Sequence, residues 1–215
     1  MTDKFVRRFL VPSGGPVDLS SLETSETLSM DKETAKAELG VLLSQLAILQ
    51  HRLMAEAAQS LLIIIQGRDA SGKDGLVRHV MTGLNPAGVR VTSFKVPSGS
   101  ERFHDYLWRC HAATPARGEV GVWNRSHYED ILVPRVKNLV DVETWQKRYR
   151  HIREFERLLS DEGTRVIKFY LHVSHEVQRQ RLQKRIDNPE SGWKHDPSDL
   201  TDRALWPAYQ SAYQD

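Results

Sequence analysis

Apolar positions change period along the chain, and the changes mark its elements. Leu39, Leu42, Leu43, Leu46, Leu49 and Leu53 recur at spacings of three and four, which predicts a helix over residues 31–60 with one apolar face; packing on the rest of the domain is the favoured use of that face, and a coiled-coil seam is the alternative. Leu61–Gln66 is a continuous apolar run, the pattern of a strand buried on both faces. Helix and strand then alternate: a helix over 73–84 closed by Asn-Pro-Ala-Gly, a strand over 89–94, a helix over 102–113, a strand over 120–123, a long charged helix over 142–159, a strand over 165–173, and helices over 176–186 and 200–213. Such alternation predicts an α/β domain with a parallel sheet and helices on both faces, joined by right-handed crossovers. Residues 1–30 read as an arm without a fold of its own, and residues 31–215 as one domain. No internal repeat or low-complexity segment stands out.

Composition narrows this little. The 215 residues include 40% hydrophobic and 27% charged ones, the balance of an ordinary globule. The formal net charge is only +2, so any anion site must come from local clustering. That balance argues against a general nucleic-acid binder. The single cysteine, Cys110, allows no intrachain disulfide and reads as a small buried residue; with no apolar run long enough to cross a bilayer and no signal-peptide core, a cytoplasmic protein without membrane contact is expected.

The chemistry concentrates at the end of the first strand. Gly67-Arg-Asp-Ala-Ser-Gly-Lys73 nearly completes G-x-x-x-x-G-K-[ST], with Asp74 in place of Ser or Thr. A glycine loop entering a helix turns backbone N–H groups and the positive end of the helix dipole toward a phosphate, and a lysine adds a full charge. Gly67, Ala70, Ser71, Gly72, Lys73, Asp74 and Gly75 are therefore the candidate phosphate cradle; the bland alternative is a tight turn with a surface lysine. Two acids in an anion cradle need a reason. Mg²⁺ takes one or two carboxylates together with substrate phosphates, so Asp69 is the candidate metal ligand. Asp74 is explained by the helix dipole or by a water-mediated role. Arg135, Lys137, Lys147, Arg148, Arg150 and Arg153 form a basic stretch open to two readings: a groove for a phosphate chain, or a solvated face paired with Glu143, Glu154 and Glu156. Trp108, Tyr128 and Trp193 are aromatic candidates for a base contact, with core or lid packing the favoured reading for Trp108. His172 and His175 lack partners at a zinc-ligand spacing.

Four ordered blocks, GRDASGKDG, WNRSHYEDILVPRV, WQKRYRHIREFERLL and RIDNPESGWKHDPSDLTDRALWPAYQSAY, resemble the polyphosphate kinase 2 family, from about residue 32 onward. The resemblance implies a three-layer P-loop kinase fold like that of thymidylate kinase, with a helical lid over about 187–203. It implies phosphoryl transfer between inorganic polyphosphate and AMP, ADP or ATP, with Mg²⁺ and self-association into a homo-oligomer. It carries a metal and catalytic role to Asp69 and catalytic roles to Lys73, Arg125 and Arg185, the last at the lid hinge. Asn124 stands where many members have Asp; with Tyr128 and Glu129 it forms the candidate nucleotide contact, in a block that resembles the subgroup acting on AMP and ADP. Lys194, Asp202, Arg203 and Trp206 match the lid and the helix after it. Members usually continue into a further strand and helix, so four strands are expected here where the fold has five. The competing functions are an ATP-dependent nucleotide or nucleoside kinase on the same fold, and a catalytically idle phosphate-binding domain.

Overall fold

The structure, a computed structural model, describes residues 2–11, 14–15, 17–188 and 198–215. At its centre is a parallel sheet of β1 (Ser60–Gln66), β2 (Val89–Ser93), β3 (Val120–Asn124) and β4 (Thr164–Tyr170), in the order β2-β3-β1-β4. β1 lies between β3 and β4, with Ile64 opposite Trp123 on one side and Lys168 on the other. Successive residues of β1 serve opposite faces. Leu62 and Ile64 join Trp123, Phe94, Cys110, Phe155 and Leu159 on one face. Val120 and Val122 meet Leu61, Ile63, Leu53, Leu76, Val77 and Met81 on the other. The four expected strands are therefore present, and β4 is an edge, with Ile167 and Phe169 open to solvent.

Nine α-helices occur among the described residues. α1 (Thr2–Phe9) occupies part of the stretch expected as a featureless arm. α2 (Lys32–Glu56) starts where the Asp31 carboxylate accepts from Thr34 N–H and ends at Ala57, whose φ is 46°; it stops earlier than expected because that residue is left-handed. Its leucine stripe is divided. Leu43 packs on Gly83, Met54 on Gly88, and the Gln50 amide exchanges two 2.8 Å hydrogen bonds with the Asn85 backbone. Leu39, Leu42 and Leu49 remain exposed, so the expectation of one packed face is corrected.

α3 (Lys73–Met81), α6 (Val142–Asp161) and α7 (His175–Asp187) fall close to their expected places. The helix expected over 102–113 is a 3₁₀ turn, Gly99–Phe103, and a short α4 (Trp108–Ala112), separated where the Asp105 carboxylate accepts from Leu107 N–H. Trp108 is 41% exposed and stacks on His104, which corrects its assignment to packing. Cys110 is buried as expected, its thiol pushed up to about 12 by that burial. The α5 helix (Glu129–Val136) escaped the pattern because it contains Pro134, a residue that breaks most helices. Proline leaves the carbonyl four residues back, that of Asp130, without its helical donor, and the Arg148 guanidinium donates to it instead. The single helix expected at the end is α8 (Ser198–Ala204) and α9 (Trp206–Gln214), parted before Pro207. Among the described residues no helix is long and apolar enough to cross a membrane.

Candidate phosphate-transfer site

The site lies at the carboxyl ends of β1 and β3, where open parallel sheets place their ligands. β1 hands over to a loop that only particular residues can form. A Cβ on Gly67 would lie 2.7 Å from Ser71 Oγ and 3.0 Å from the Leu171 carbonyl, so a side chain there would collide with rigid backbone. Gly72, with φ 105°, turns the chain into α3 and provides no side-chain cap. The first N–H groups of α3, on Lys73, Asp74 and Gly75, therefore point out of the helix end uncapped, the arrangement that attracts an anion. Ser71 Oγ is buried without a hydrogen-bond partner. A hydroxyl in that state suits an added acceptor such as a phosphate oxygen.

Lys73 lies inside this loop. It is 7% exposed, and its Nζ donates to the Gly67 and Arg68 carbonyls at 2.7 and 2.9 Å. Burial, followed by the charge of Arg125, lowers its pKa to about 8. Asp69 stands on the outer side with its carboxylate between two guanidinium groups, Arg185 at 2.9 Å and Arg125 at 3.5 Å. Arg125 has a left-handed backbone, φ 65°. Strain at a non-glycine residue next to a ligand site is a sign of function. Glu129 holds the same guanidinium at 3.4 Å. Gln66, with its amide donating to Glu129 (3.2 Å) and accepting from Ser126, fixes that glutamate in turn. Asn124 donates to the Asp74 carboxylate at 2.8 Å. Asp69, Lys73, Asp74, Asn124, Arg125 and Arg185 thus come together from four elements.

Two residues that sequence reasoning missed complete the loop. Gln178 Nε2 donates to the Asp69 carbonyl at 3.0 Å, and Arg181 donates to the Ala70 and Ser71 carbonyls at 3.2 and 2.7 Å. With Arg185 they occupy positions i, i+3 and i+7 of α7, one helix face. Holding loop carbonyls outward keeps the N–H groups inward. The available signal was an Arg- and Gln-rich helix with this spacing. Arg68 was missed as well. It is buried, lies 3.6 Å over the Trp206 ring, and donates to the Trp206 carbonyl. Arg203 donates to the His175 carbonyl and to Gln178 Oε1, both at 3.0 Å. The helices that follow the expected lid are therefore tied back to the phosphate loop. Most of the lid, including Trp193 and Lys194, lies outside the described residues.

Other expectations need correction. Arg135 is taken up by Asp215 (2.6 Å), Tyr149 (3.0 Å), Ser211 and the Trp145 ring, and Lys137 by Asp202 (2.9 Å). Both fasten α5 to α6, α8 and α9, and this gives them jobs away from the phosphate loop. Lys147 and Arg150 pair with Glu143 and Glu154, the solvated-face reading of the basic stretch. Tyr128 packs in the core, and its hydroxyl meets Glu156 (3.0 Å) and Lys168 (3.1 Å), so its assignment as a base contact is withdrawn. Glu129 orients Arg125, as described above. Beside Tyr128 lies His127, buried with neither ring nitrogen hydrogen-bonded; burial and then the Lys168 charge hold its pKa down to about 3.

Sheet order, glycine loop, buried lysine and converging arginines define a P-loop phosphotransferase site on a P-loop kinase fold. Comparison with known proteins gives the family. The description of Polyphosphate kinase 2 (PPK2) matches residues 29–215, and the chain belongs to that family. It is 51% identical over 211 residues to the AMP/ADP-polyphosphate phosphotransferase of Meiothermus ruber, covering 97% of this chain and 79% of that protein. It is 41% identical over 221 residues to the ADP-polyphosphate phosphotransferase of Rhodopseudomonas palustris, covering 97% and 76%. The crystal structure of Polyphosphate Kinase 2 from Arthrobacter aurescens superposes with a TM-score of 0.90 at 39% identity, over 95% of this chain and 74% of that one.

Proposed function

We propose that this chain transfers a phosphoryl group between inorganic polyphosphate and the terminal phosphate of AMP or ADP, with Mg²⁺. The observation that carries the reading is the Asp69 carboxylate held by Arg125 and Arg185 at the mouth of a phosphate loop, in a chain whose relatives are named for this activity. In the forward direction a terminal oxygen of the nucleotide attacks the last phosphorus of the chain. A new P–O bond forms, the bond to the shortened polyphosphate breaks, and the leaving chain departs as an anion. The attacking oxygen is already anionic, so no strong general base is required.

The residues divide the work as positioning and charge neutralisation, which phosphoryl transfer needs most. The N–H groups of Lys73, Asp74 and Gly75 and the orphaned Ser71 hydroxyl cradle phosphate oxygens. Lys73 meets charge from inside the loop; Arg125 and Arg185 meet it from outside. Asp69 could hold Mg²⁺ through two hard carboxylate oxygens on a partly open side chain, with substrate phosphates as the other ligands; Arg125 and Arg185 compete for those oxygens until phosphate takes them over. When bound, the cation neutralises charge on the phosphates.

The test is donor choice. Purified protein with Mg²⁺ and AMP or ADP should form ADP and ATP from polyphosphate. An enzyme that phosphorylates only with ATP, and makes nothing from polyphosphate, would be an ordinary nucleotide kinase and would overturn the proposal. Polyphosphate binding without turnover would make it a binding domain.

A further inference from the structure

The first turn of α5 carries two acids in succession, and the site described above uses only one. Glu129 turns to the site, where it holds the Arg125 guanidinium at 3.4 Å. Asp130 lies about 100° further round the helix and is buried, its carboxylate accepting from Arg109 at 2.8 Å. Arg109 is buried as well. It also donates to the Lys95 carbonyl at 2.6 Å, just beyond β2, and lies 3.7 Å from Glu101. Its Nε is buried without a hydrogen-bond partner. The Asp130 backbone carbonyl, freed by Pro134, is taken by Arg148 of α6. One turn of helix is thus held from the β2 side by Arg109, from α6 by Arg148 and, through Glu129, from β1 by Gln66.

This is a costly way to hold a helix. Two charges lose their water, and one arginine N–H goes unanswered. Burial pushes the Asp130 carboxyl above its ordinary range in spite of the guanidinium beside it. Well-packed apolar residues of similar volume would often serve stability as well. What the ion pair adds is direction, because charge-assisted hydrogen bonds set the length and angle of the contact. Arg125 needs such support: its side chain is partly exposed, and its two ion pairs are long, at 3.4 and 3.5 Å. We propose that Asp130 is a positioning residue for Arg125: clamped by Arg109, it sets the rotation of the first α5 turn and with it the reach of Glu129 to the Arg125 guanidinium. The proposal rests on the phosphoryl-transfer reading and adds to it a residue behind the site.

A double-mutant cycle on the whole chain tests this. Arg109→Met together with Asp130→Leu exchanges the ion pair for an apolar one, which should keep the fold and lose the direction. With polyphosphate as donor, kcat should fall about 10- to 100-fold, with KM for either substrate little changed. In an Arg125→Gln background the same exchange should cost less than about twofold more, because the group that it positions is gone. A brace that merely supports the fold would slow both backgrounds alike. Should the apolar pair fail to fold, Asp130→Asn, which keeps an oxygen for Arg109, carries the same cycle. A second readout needs no turnover. The side-chain N–H signals of Arg125 in ¹⁵N NMR, assigned by their loss in Arg125→Gln, should broaden in the exchanged pair, while those of Arg185 stay as in wild type. A wild type that makes nothing from polyphosphate defeats the phosphoryl-transfer reading, and the NMR comparison then decides the positioning alone. Equal losses in both backgrounds, wild-type kcat in a folded variant, or unchanged Arg125 signals would overturn the inference.

Discussion

Replacing Gln178 asks whether α7 holds the phosphate loop in its working shape. The side chain is 5% exposed and makes two contacts: Nε2 donates to the Asp69 carbonyl, and Oε1 accepts from Arg203, each at 3.0 Å. Gln178→Leu keeps most of the volume and removes both. The half-buried Asp69 carbonyl then loses a donor, which costs about 1–3 kcal/mol when nothing replaces it. The Arg203 contact adds little to that, because the arginine is still bonded to the His175 carbonyl. Urea denaturation should therefore show a lower midpoint, equivalent to that loss. The catalytic effect should be larger in proportion. A loop carrying Asp69 and Lys73 that relaxes by about 1 Å loses on the order of 100-fold in rate, seen in kcat rather than KM. Gln178→Glu separates the two bonds, since it keeps the acceptor for Arg203 and loses the donor to Asp69. It should lose turnover as Gln178→Leu does. If Gln178→Leu denatures at the wild-type midpoint and turns over at the wild-type rate, the brace does not exist.

Gly67→Ala should fold poorly or distort the loop, costing about 1–3 kcal/mol by overpacking, because its methyl would meet the Leu171 backbone as well as Ser71; thermal melting reads this directly. Arg185→Ala should lower turnover by about 100-fold and leave the denaturation midpoint nearly unchanged, since a partly exposed ion pair contributes little to stability. The alkaline limb of activity should come from Lys73. Its pKa is held down to about 8 in the free protein, and bound phosphate favours its protonated form. The ratio kcat/KM should be flat below that value and fall about tenfold per pH unit above it. Lys73→Arg should remove this limb, because a guanidinium keeps its charge; an unchanged pH profile would show that another group sets it.

The sheet was legible because buried parallel strands announce themselves: LLIII of β1 and VGVW of β3 leave little alternative. The loop was legible because glycine, aspartate and lysine stand at fixed offsets. α5 was not, since Pro134 disguises a helix whose missing hydrogen bond is answered by Arg148 from α6, a contact with no local signal. The basic residues divided in the same way. Arg125 and Arg185 reach the site, while Arg135 and Lys137, equally basic in sequence, are spent on Asp215 and Asp202. Charge is visible in a sequence; the partner that consumes it is set by tertiary packing. Gln178 and Arg181 went unseen for the related reason that their targets are backbone carbonyls, which carry no sequence signature. The leucine stripe of α2 was read correctly as a helix, but periodicity alone does not tell which part of a stripe meets the domain.

We propose that Asp69 makes this loop a site for phosphoryl transfer from polyphosphate. Initial rates of ADP and ATP formation from polyphosphate, measured against Mg²⁺ concentration for wild type and Asp69→Asn, test it most directly. The variant should keep its fold, because Gln178 still holds the residue 69 carbonyl, and should lose about 100- to 1000-fold in rate. An Asp69→Asn protein that retains most of its activity with the same Mg²⁺ dependence would contradict the account.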